Sequence, residues 1–331
     1  MISIYSVTHF LVDFACAFLM FYSLIRSPDP YICILVYNFC AFAMQMPVGI
    51  IADKINHNNL IAAAGCVLVA AGFGLTGIPV LAAAVVGLGN GMFHIGGGID
   101  ILNISEKKSA ALGIFVSPGA FGVFLGTLLG RSGFSVSVPI LVSLIFISIL
   151  IIFMKSVRGD LNVSNASFDP YIPPKLIISV VCLFLVVCLR SYTGLAVDFP
   201  WKGFGFLGVA LVCASAFGKT LGGFLFDRFG AFKTVILSLG IASVLFLFPQ
   251  NPVAGVSAIL LFNMTMPVTL WFMAKIIPGA KGFSFGLLTF ALFLGFLPVY
   301  LGAAVPPFWV FAPLSAAALV LLMFGITKYS R

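Results

Sequence analysis

The sequence predicts an all-α membrane protein with twelve transmembrane helices in two six-helix bundles. An extreme apolar composition, a regular succession of apolar runs and a short marker that occurs twice support this prediction. Apolar residue types make up 62% of the 331 residues, and charged types make up only 8%. Soluble domains are about half apolar and about a quarter charged. A soluble chain of this composition could not cover its surface with polar groups, whereas lipid would solvate it.

The apolar runs alternate with short breaks that contain proline, glycine or polar residues. The predicted spans are 4–25, 31–52, 59–77, 80–103, 110–130, 135–155, 175–195, 204–226, 232–248, 253–274, 282–303 and 307–327. Twelve spans of about 20 residues require about 240 residues. The remaining length suffices for short connections and leaves no room for a soluble domain. The first apolar run lacks a basic leading region and a cleavage site, so it is expected to be retained as the first span.

The longest polar stretch, 156–174, lies near the middle of the chain and is predicted to be a cytoplasmic linker. It divides the chain into a predicted N-terminal bundle over 1–155 and a C-terminal bundle over 175–331. Twelve of the seventeen Lys and Arg residues fall on one predicted side, four fall on the other, and Lys219 lies within a span. This asymmetry places both termini in the cytoplasm, as expected for the inner membrane of a bacterium.

Composition and residue spacing argue against several other classes. The net charge of +8 is spread over single basic residues and pairs between apolar runs, so it predicts topology signals and no nucleic-acid partner. The seven cysteines show no C-x-x-C or metal-ligand spacing and are expected to be apolar packing residues. The sequence therefore predicts no cofactor and no metal site.

The chain contains a weak internal repeat at the predicted cytoplasmic ends of the second and eighth spans. Two segments 174 positions apart each have a glycine, an acid four residues later and a base directly after the acid: Gly49, Asp53 and Lys54 in the first, and Gly223, Asp227 and Arg228 in the second. A marker at the same place in both halves indicates parallel duplication, which is a known architecture of secondary transporters. The alternative is that these charges are ordinary topology markers.

The repeated segments resemble the G-x-x-x-D-R/K-x-G-R/K signature of the major facilitator superfamily. The second copy continues the pattern with Gly230 and Lys233, whereas the first has His57 and Asn58 where basic residues are usual. The glycine would allow close helix approach, and the acid and base could pair across helix ends when the cytoplasmic side is closed. The resemblance implies a cytoplasmic gate at these segments. It also implies a central cavity lined by the first, fourth, seventh and tenth helices.

Ionisable groups inside predicted spans are costly and point to function. His9 and Asp13 lie four residues apart in the first span, and Asn90 and His94 have the same spacing in the fourth, so each pair shares one helix face. Asp13 and His94 each lie about nine residues from a cytoplasmic helix end, which places both roughly 13–14 Å deep. We therefore expect a shared polar centre whose protonation changes during transport. The alternative is a static His–Asp hydrogen bond that only fixes helix packing.

Three short patches more narrowly resemble the fosmidomycin-resistance-type branch of the superfamily. They are 8–14 in the first span, 87–94 in the fourth span and 189–191 in the seventh span. The branch usually continues Phe-His-Pro-Glu, but here Ile95 and Gly96 follow His94. The missing glutamate shifts the expected proton coupling to His9, Asp13 and His94.

Further polar residues lie on the helices that the resemblance assigns to the cavity. Arg190 would bind an anionic substrate group, or would alternatively extend to the outer headgroups. Asn263 and Trp271 would line the tenth-helix side of the substrate site. Asp100 is expected to form an interface pair near the cytoplasmic end of its span, and Lys219 is expected to extend towards the headgroups.

Together these patterns predict a monomeric secondary transporter, with proton-coupled export of a small molecule as the favoured version and an anionic molecule as a candidate substrate. Its expected partners are the substrate, protons and membrane lipids. An importer or uniporter would share all of these features. A lipid-modifying membrane enzyme is less favoured, since the nine acids are dispersed and no catalytic cluster is evident. A non-transporting receptor or scaffold is the remaining alternative.

Overall fold

The computed structural model describes residues 1–154 and 174–330, and every regular element within these ranges is helical. Ten of the described helical segments are long and apolar enough to cross a membrane: α1 Ile2–Arg26, α2 Pro30–Ile55, α3 Asn58–Leu75, α4 Pro79–Ile104, α5 Ala110–Ser132, α7 Leu176–Ala196, α8 Leu207–Phe229, α10 Pro252–Ile276, α11 Lys281–Tyr300 and α12 Phe308–Tyr329. The all-α class predicted from the sequence is confirmed. The linker predicted over 156–174 lies outside the described residues, except for Pro174.

Two of the twelve predicted spans correspond to shorter apolar helices. The span predicted at 135–155 is helix α6, Ser137–Phe153, and the span predicted at 232–248 is helix α9, Ala231–Leu245. Helix α9 contains a π-helical turn over Ile236–Gly240, which interrupts its α-helical hydrogen-bond pattern. The structure therefore shows ten helices of spanning length in the described part of the chain, and twelve spans remain a prediction.

Proline and asparagine set several of the helix starts. Pro30 and Pro252 occupy the first turns of α2 and α10, where a missing N–H group has no cost. The side chain of Asn251 accepts hydrogen bonds from the backbone N–H groups of Val253, at 2.9 Å, and Ala254, at 3.2 Å. This is an N-cap, and it satisfies donors that the first turn of α10 leaves open.

The chain forms two compact units. Among the described residues, the first unit comprises Met1–Ile104, 118–154 and Gly279–Phe290, and the second comprises Ser105–Ser117, 174–278 and 291–330. Helix α5 contributes its first residues to the second unit and its remainder to the first. Helix α11 does the reverse, with its first residues in the first unit.

Small residues allow close helix packing within the first unit. A side chain on Gly122, Gly126 or Gly130 of α5 would collide with a backbone carbonyl of α1. Glycines with this spacing lie on one helix face, and in lipid, where apolar burial drives no association, close backbone packing holds helices together. Helices α1 and α5 therefore pack backbone against backbone over roughly two turns.

Candidate functional site

The two helix faces singled out in the sequence meet inside the first unit. The His9 Nε2 atom lies 3.2 Å from Asp13 Oδ2 and 2.9 Å from His94 Nε2. The Asn90 side chain donates a hydrogen bond to Asp13 Oδ1 at 2.9 Å. Asp13 Oδ1 also lies 3.8 Å from His94 Nε2. The four residues thus form one polar cluster between α1 and α4, as their shared helix faces predict.

The backbone of α4 fixes the tautomer of His94. Its Nδ1 atom lies 2.8 Å from the carbonyl oxygen of Asn90, which can only accept a hydrogen bond. The proton of a neutral His94 must therefore lie on Nδ1, which leaves Nε2 as an acceptor. This assignment follows from the hydrogen-bond pattern, as histidine tautomers generally must.

The contact between the two imidazole rings limits how many protons the cluster holds. Two N–H groups cannot face each other at 2.9 Å, so only one proton lies between the Nε2 atoms of His9 and His94. When His94 is neutral, His9 supplies that proton and can share it with Asp13. A further proton can be taken up by Asp13 or by the other ring nitrogen of His9, whereas a second proton between the two Nε2 atoms would separate the rings. The geometry therefore couples the charges of the three residues.

The cluster is largely removed from solvent. The exposed fraction of the side chain is 7% for His9, 14% for Asp13 and 12% for His94. In the described residues, no Lys or Arg side chain forms an ion pair with Asp13, and its ion-pair partners are the two histidines. The charge on this carboxylate consequently depends on the protonation of the two rings beside it.

Helix α5 packs against the cluster through Gly119, which has no side chain. A Cβ atom on Gly119 would collide with both Asp13 Oδ2 and His9 Nε2. Pro118 begins the second segment of α5, Pro118–Ser132, after the break that follows Val116. The position of Gly119 against this polar pair has no signal in the sequence, because it depends on how α5 is aligned along α1.

Three members of the cluster have the side-chain types of a metal site. One ligand atom each from His9, Asp13 and His94 lies within 4.8 Å of the others. Two imidazoles and a carboxylate are a common ligand set for transition metals. The 2.9 Å separation of the two Nε2 atoms is, however, the length of a hydrogen bond between them. The arrangement as it stands suits a shared proton.

Arg190 is buried in the second unit, where Nη1 donates a hydrogen bond to Thr269 Oγ1 of α10 at 3.3 Å. The side-chain amide of Asn263 donates to the carbonyl of Ile259 in its own helix at 2.8 Å. The Trp271 indole donates to the carbonyl of Ser105 at 2.9 Å, and its ring packs edge-on against Phe226. Of these three predicted site residues, Asn263 and Trp271 thus direct N–H groups to backbone carbonyls.

The two repeated acids occupy equivalent positions at helix N-termini. Within the first unit, Asp53 accepts hydrogen bonds from the N–H groups of Gly282, at 2.8 Å, and Phe283, at 2.9 Å, in the first turn of α11. Gly49 lies one turn earlier, and a side chain there would collide with the backbone of Gly282. Close helix approach at the first repeated glycine is therefore observed.

The second copy repeats this arrangement within the second unit. Asp227 accepts hydrogen bonds from the N–H groups of Ser109, at 2.6 Å, and Ala110, at 3.0 Å, where α5 begins. A Cβ on Gly223 would lie 2.9 Å from the Ala110 Cα atom. A carboxylate at a helix N-terminus satisfies open donors and is favoured by the helix dipole.

The acid–base pairing expected at the repeat remains a prediction. The described hydrogen bonds of Asp53 and Asp227 come from backbone N–H groups. The guanidinium of Arg228 lies 5.7 Å from the ring centroid of its neighbour Phe229. Lys54 is exposed at the end of α2. Sequence reasoning missed these partners because a backbone donor leaves no residue-type signal.

A second buried polar group lies on the same helices as the cluster. Asp100 accepts hydrogen bonds from the Tyr5 hydroxyl at 2.7 Å and from the Asn58 side chain at 3.0 Å, and all three side chains are buried. Asp100 had been expected to form an interface pair near a helix end, and its described contacts tie α1, α3 and α4 together. Tyr5 lies four residues before His9 on the same face of α1, but nothing in the sequence links it to Asp100.

No protein-family model matches the sequence, and no curated protein matches it. Among solved structures, the chain is similar to a point variant of the E. coli fucose:proton symporter FucP, with a TM-score of 0.70 and 14% identity over 98% of both chains. It is also similar to the major facilitator superfamily transporter FucP in the outward conformation, with a TM-score of 0.67, 14% identity and the same coverage. The chain therefore has the fold of a major facilitator superfamily transporter.

Proposed function

We propose that this protein is a proton-coupled secondary transporter that moves a small molecule across a membrane by alternating access. The observation that carries the proposal is the cluster of His9, Asp13 and His94, buried in a transporter fold with one proton between two imidazole nitrogens. Ionisable groups in a membrane interior are costly, and proton relays are among their principal uses. Proton symport is also the activity named for the similar E. coli structure.

The cluster would work by linking proton number to conformation. With one proton between the rings, His9 and His94 hold α1 and α4 together through a 2.9 Å contact. Binding of a further proton from one side of the membrane would charge His9, neutralise Asp13 or push the rings apart. Release to the other side would restore the arrangement described here. A cycle of this kind exposes the proton site alternately to each side, which coupled transport requires.

The finer features of the proposal follow the sequence. We propose twelve spans in two six-helix bundles, over 1–155 and 175–331, with both termini in the cytoplasm of a bacterial cell and the monomer as the working unit. Asp53 and Asp227 would brace the cytoplasmic gate through the helix N-termini that they cap. The nearest branch proposed is the fosmidomycin-resistance type, on the strength of the three short patches.

Export, with the transporter acting as a proton antiporter, is the direction that we propose. The single observation that favours import is the similarity to a symporter structure, which at 14% identity shows a common fold. An exporter and an importer would use the same proton cluster and would differ in the direction in which the substrate moves. A uniporter would move its substrate without protons.

The deciding experiment has two stages. A transport-deficient, drug-sensitive bacterium expressing the chain is grown with a broad compound panel, beside an Asp13→Asn variant, and protection by the wild type alone identifies exported compounds. If no compound gives protection although the protein reaches the membrane, the same panel is tested for uptake into vesicles. Substrate-dependent proton movement in either direction would support the proposal. Substrate flux that is independent of a pH gradient would contradict proton coupling.

A further inference from the structure

Ligand atoms of two imidazoles and a carboxylate lie together between α1 and α4. One atom each from His9, Asp13 and His94 lies within 4.8 Å of the other two. His9 Nε2 lies 2.9 Å from His94 Nε2 and 3.2 Å from Asp13 Oδ2, and His94 Nε2 lies 3.8 Å from Asp13 Oδ1. Tetrahedral Zn²⁺ is bound at about 2.0–2.1 Å, so its ligand atoms lie about 3.3 Å apart. The three separations differ from this value by about 0.5 Å or less, so small side-chain rotations would bring these atoms to an ion.

Asn90 holds two of these three side chains in the orientation that a metal ion requires. Its carbonyl oxygen lies 2.8 Å from His94 Nδ1, which places the proton of a neutral His94 there and makes Nε2 the atom that can bind an ion. Its side-chain amide donates to Asp13 Oδ1 at 2.9 Å, while Oδ2 lies 3.2 Å from His9 Nε2. Metal-binding histidines almost always donate their other N–H group to a carbonyl, a carboxylate or water, and ligating carboxylates are hydrogen-bonded in turn. The cluster thus has the supporting contacts of a metal site as well as its ligands.

The ligand types select the class of ion. Imidazole and carboxylate together suit Zn²⁺, Ni²⁺ and Co²⁺, whereas Mg²⁺ and Ca²⁺ take oxygen ligands. Such an ion needs the Nε2 lone pairs of both rings. In the state with one proton between the rings, that proton would therefore move to Nδ1 of His9 through water, and the cluster would keep the same number of protons. The side chains of Asp13 and His94 are 14% and 12% exposed, so the cluster is not closed to an ion from solvent.

We propose that His9, Asp13 and His94 form a binding site for a divalent transition-metal ion of the Zn²⁺ class, and that the bound ion arrests transport. The expectation of no metal site is thereby revised, since only the approach of α1 to α4 brings the third ligand into place. The ion would hold α1 to α4 more firmly than the shared proton does, because three coordination bonds replace one hydrogen bond between the rings. Binding of the ion stands on the geometry of the cluster, and the arrest of transport rests on the proposed function.

The first test measures binding of Zn²⁺ by calorimetric titration of the full chain in detergent, without a histidine-containing affinity tag. The variants are Asp13→Asn and His94→Gln. His57→Gln is the matched control, because His57 is the third of the three histidines and lies in an exposed loop. We expect one ion per chain in the wild type and in His57→Gln, an affinity lower by about tenfold or more in each ligand variant, and no saturable binding of Mg²⁺. Wild-type affinity in His94→Gln would overturn the proposal.

A second measurement does not depend on the folding of any variant. Co²⁺ is bound by the same ligand types as Zn²⁺, and its visible absorption spectrum reports which atoms coordinate it. The seven cysteines are the competing ligands in the chain, and coordination by a thiolate adds an intense charge-transfer band in the near ultraviolet. We expect the wild type to show visible Co²⁺ bands without the thiolate band, and Zn²⁺ to remove them. A thiolate band, or a spectrum equal to that of free Co²⁺, would overturn the proposal.

Failure of the metal site and failure of the transport proposal give different results. Substrate-dependent proton movement is measured in proteoliposomes with and without saturating Zn²⁺ on both sides of the membrane. Zn²⁺ should abolish this movement in the wild type and in His57→Gln, and a chelator should restore it. Proton-coupled flux that persists at saturating Zn²⁺ would overturn the arrest and leave the transporter standing. Zn²⁺ binding that depends on His94, in a protein that gives no proton-coupled flux of any compound, would retain the metal site and remove the transport function.

Discussion

His9 and His94 approach each other through their Nε2 atoms at 2.9 Å, across the interface of α1 and α4. Because His94 directs Nδ1 to a backbone carbonyl, the proton between the rings belongs to His9 whenever His94 is neutral. The two rings and Asp13 form a unit in which no member can change its charge without affecting the others.

Replacement of Asp13 by asparagine should uncouple transport from protons. Asparagine preserves the size of the side chain but removes the titratable group that contacts both rings. We expect proton-driven transport to fall by roughly tenfold or more, and the remaining flux to lose its dependence on pH. Substrate-induced pH changes in proteoliposomes measure this effect. Asp198→Asn, which alters an exposed acid, is the control, and wild-type pH dependence in Asp13→Asn would contradict the assignment.

Replacement of His94 by glutamine should flatten the pH profile while preserving the fold. Glutamine can still donate to the carbonyl of Asn90 or accept from His9, but it cannot take up the proton that His9 directs towards it. The expected result is an unchanged melting temperature with one titration missing from the pH dependence of transport. His57→Gln is the control, because His57 precedes α3 in an exposed loop and its ring contacts the carbonyl of Ile55 at 2.8 Å. An equal loss in both variants would argue against a specific role for His94.

Insertion of one methyl group at Gly119 should disturb the polar cluster directly. The new Cβ would collide with Asp13 Oδ2 and His9 Nε2 and would have to displace them. Gly126→Ala is the matched control, because its Cβ meets the backbone of α1 away from the cluster. Both variants should lose about 1–3 kcal/mol of stability through overpacking. Only Gly119→Ala should shift the pH profile, and a shift of the same size in Gly126→Ala would show that general packing is responsible.

The two repeated acids should make similar contributions to stability. Asp53→Asn and Asp227→Asn each weaken two hydrogen bonds to a helix N-terminus and remove the charge that the helix dipole favours. We expect each substitution to cost about 1 kcal/mol, seen as a lower melting temperature in detergent. Lys54→Gln and Arg228→Gln should cost less, because the acids bind backbone groups in the described residues. A larger loss of stability in Lys54→Gln or Arg228→Gln would support the acid–base pairing expected from the sequence.

Tyr5→Phe should destabilise the first unit without altering proton coupling. The substitution removes the 2.7 Å hydrogen bond to the buried Asp100 carboxylate, and such a loss costs about 1–3 kcal/mol. Tyr22→Phe, near the other end of α1, is the control for the loss of a hydroxyl. The pH profile of transport should match that of the wild type. A changed profile would mean that Asp100 takes part in proton movement.

Some of the contacts in the structure could be predicted from the sequence and others could not, depending on the kind of contact. The pairs His9–Asp13 and Asn90–His94 were predictable because a spacing of four residues places side chains on one helix face. Helix direction then placed Asp13 and His94 at the same depth. These inferences require only helix geometry and the order of the spans. The twofold marker at Gly49 and Gly223 similarly predicted where helices approach closely.

Contacts with the backbone, and contacts between residues far apart in the chain, could not be predicted in this way. The partners of Asp53 are N–H groups 229 and 230 positions away, and a backbone donor is present at every residue except proline. The assignment of Asp100 to a helix-end interface missed Tyr5, 95 positions away, because neither residue type implies the other. Gly119 could be identified as a packing glycine, but its neighbours depend on how α5 is aligned along α1.

The glycine face of α5 also predicts a pattern of sequence tolerance. Gly122, Gly126 and Gly130 face the carbonyls of Phe10, Phe14 and Phe18, and Gly119 faces the polar cluster. A saturation mutagenesis of α5 selected for transport should therefore show intolerance that recurs every three or four residues along this face. Exposed positions such as Val123 and Leu128 should accept most apolar residues. Close packing beside one buried proton site would thus be visible as a periodic restriction along α5, a helix that contributes no titratable group to that site.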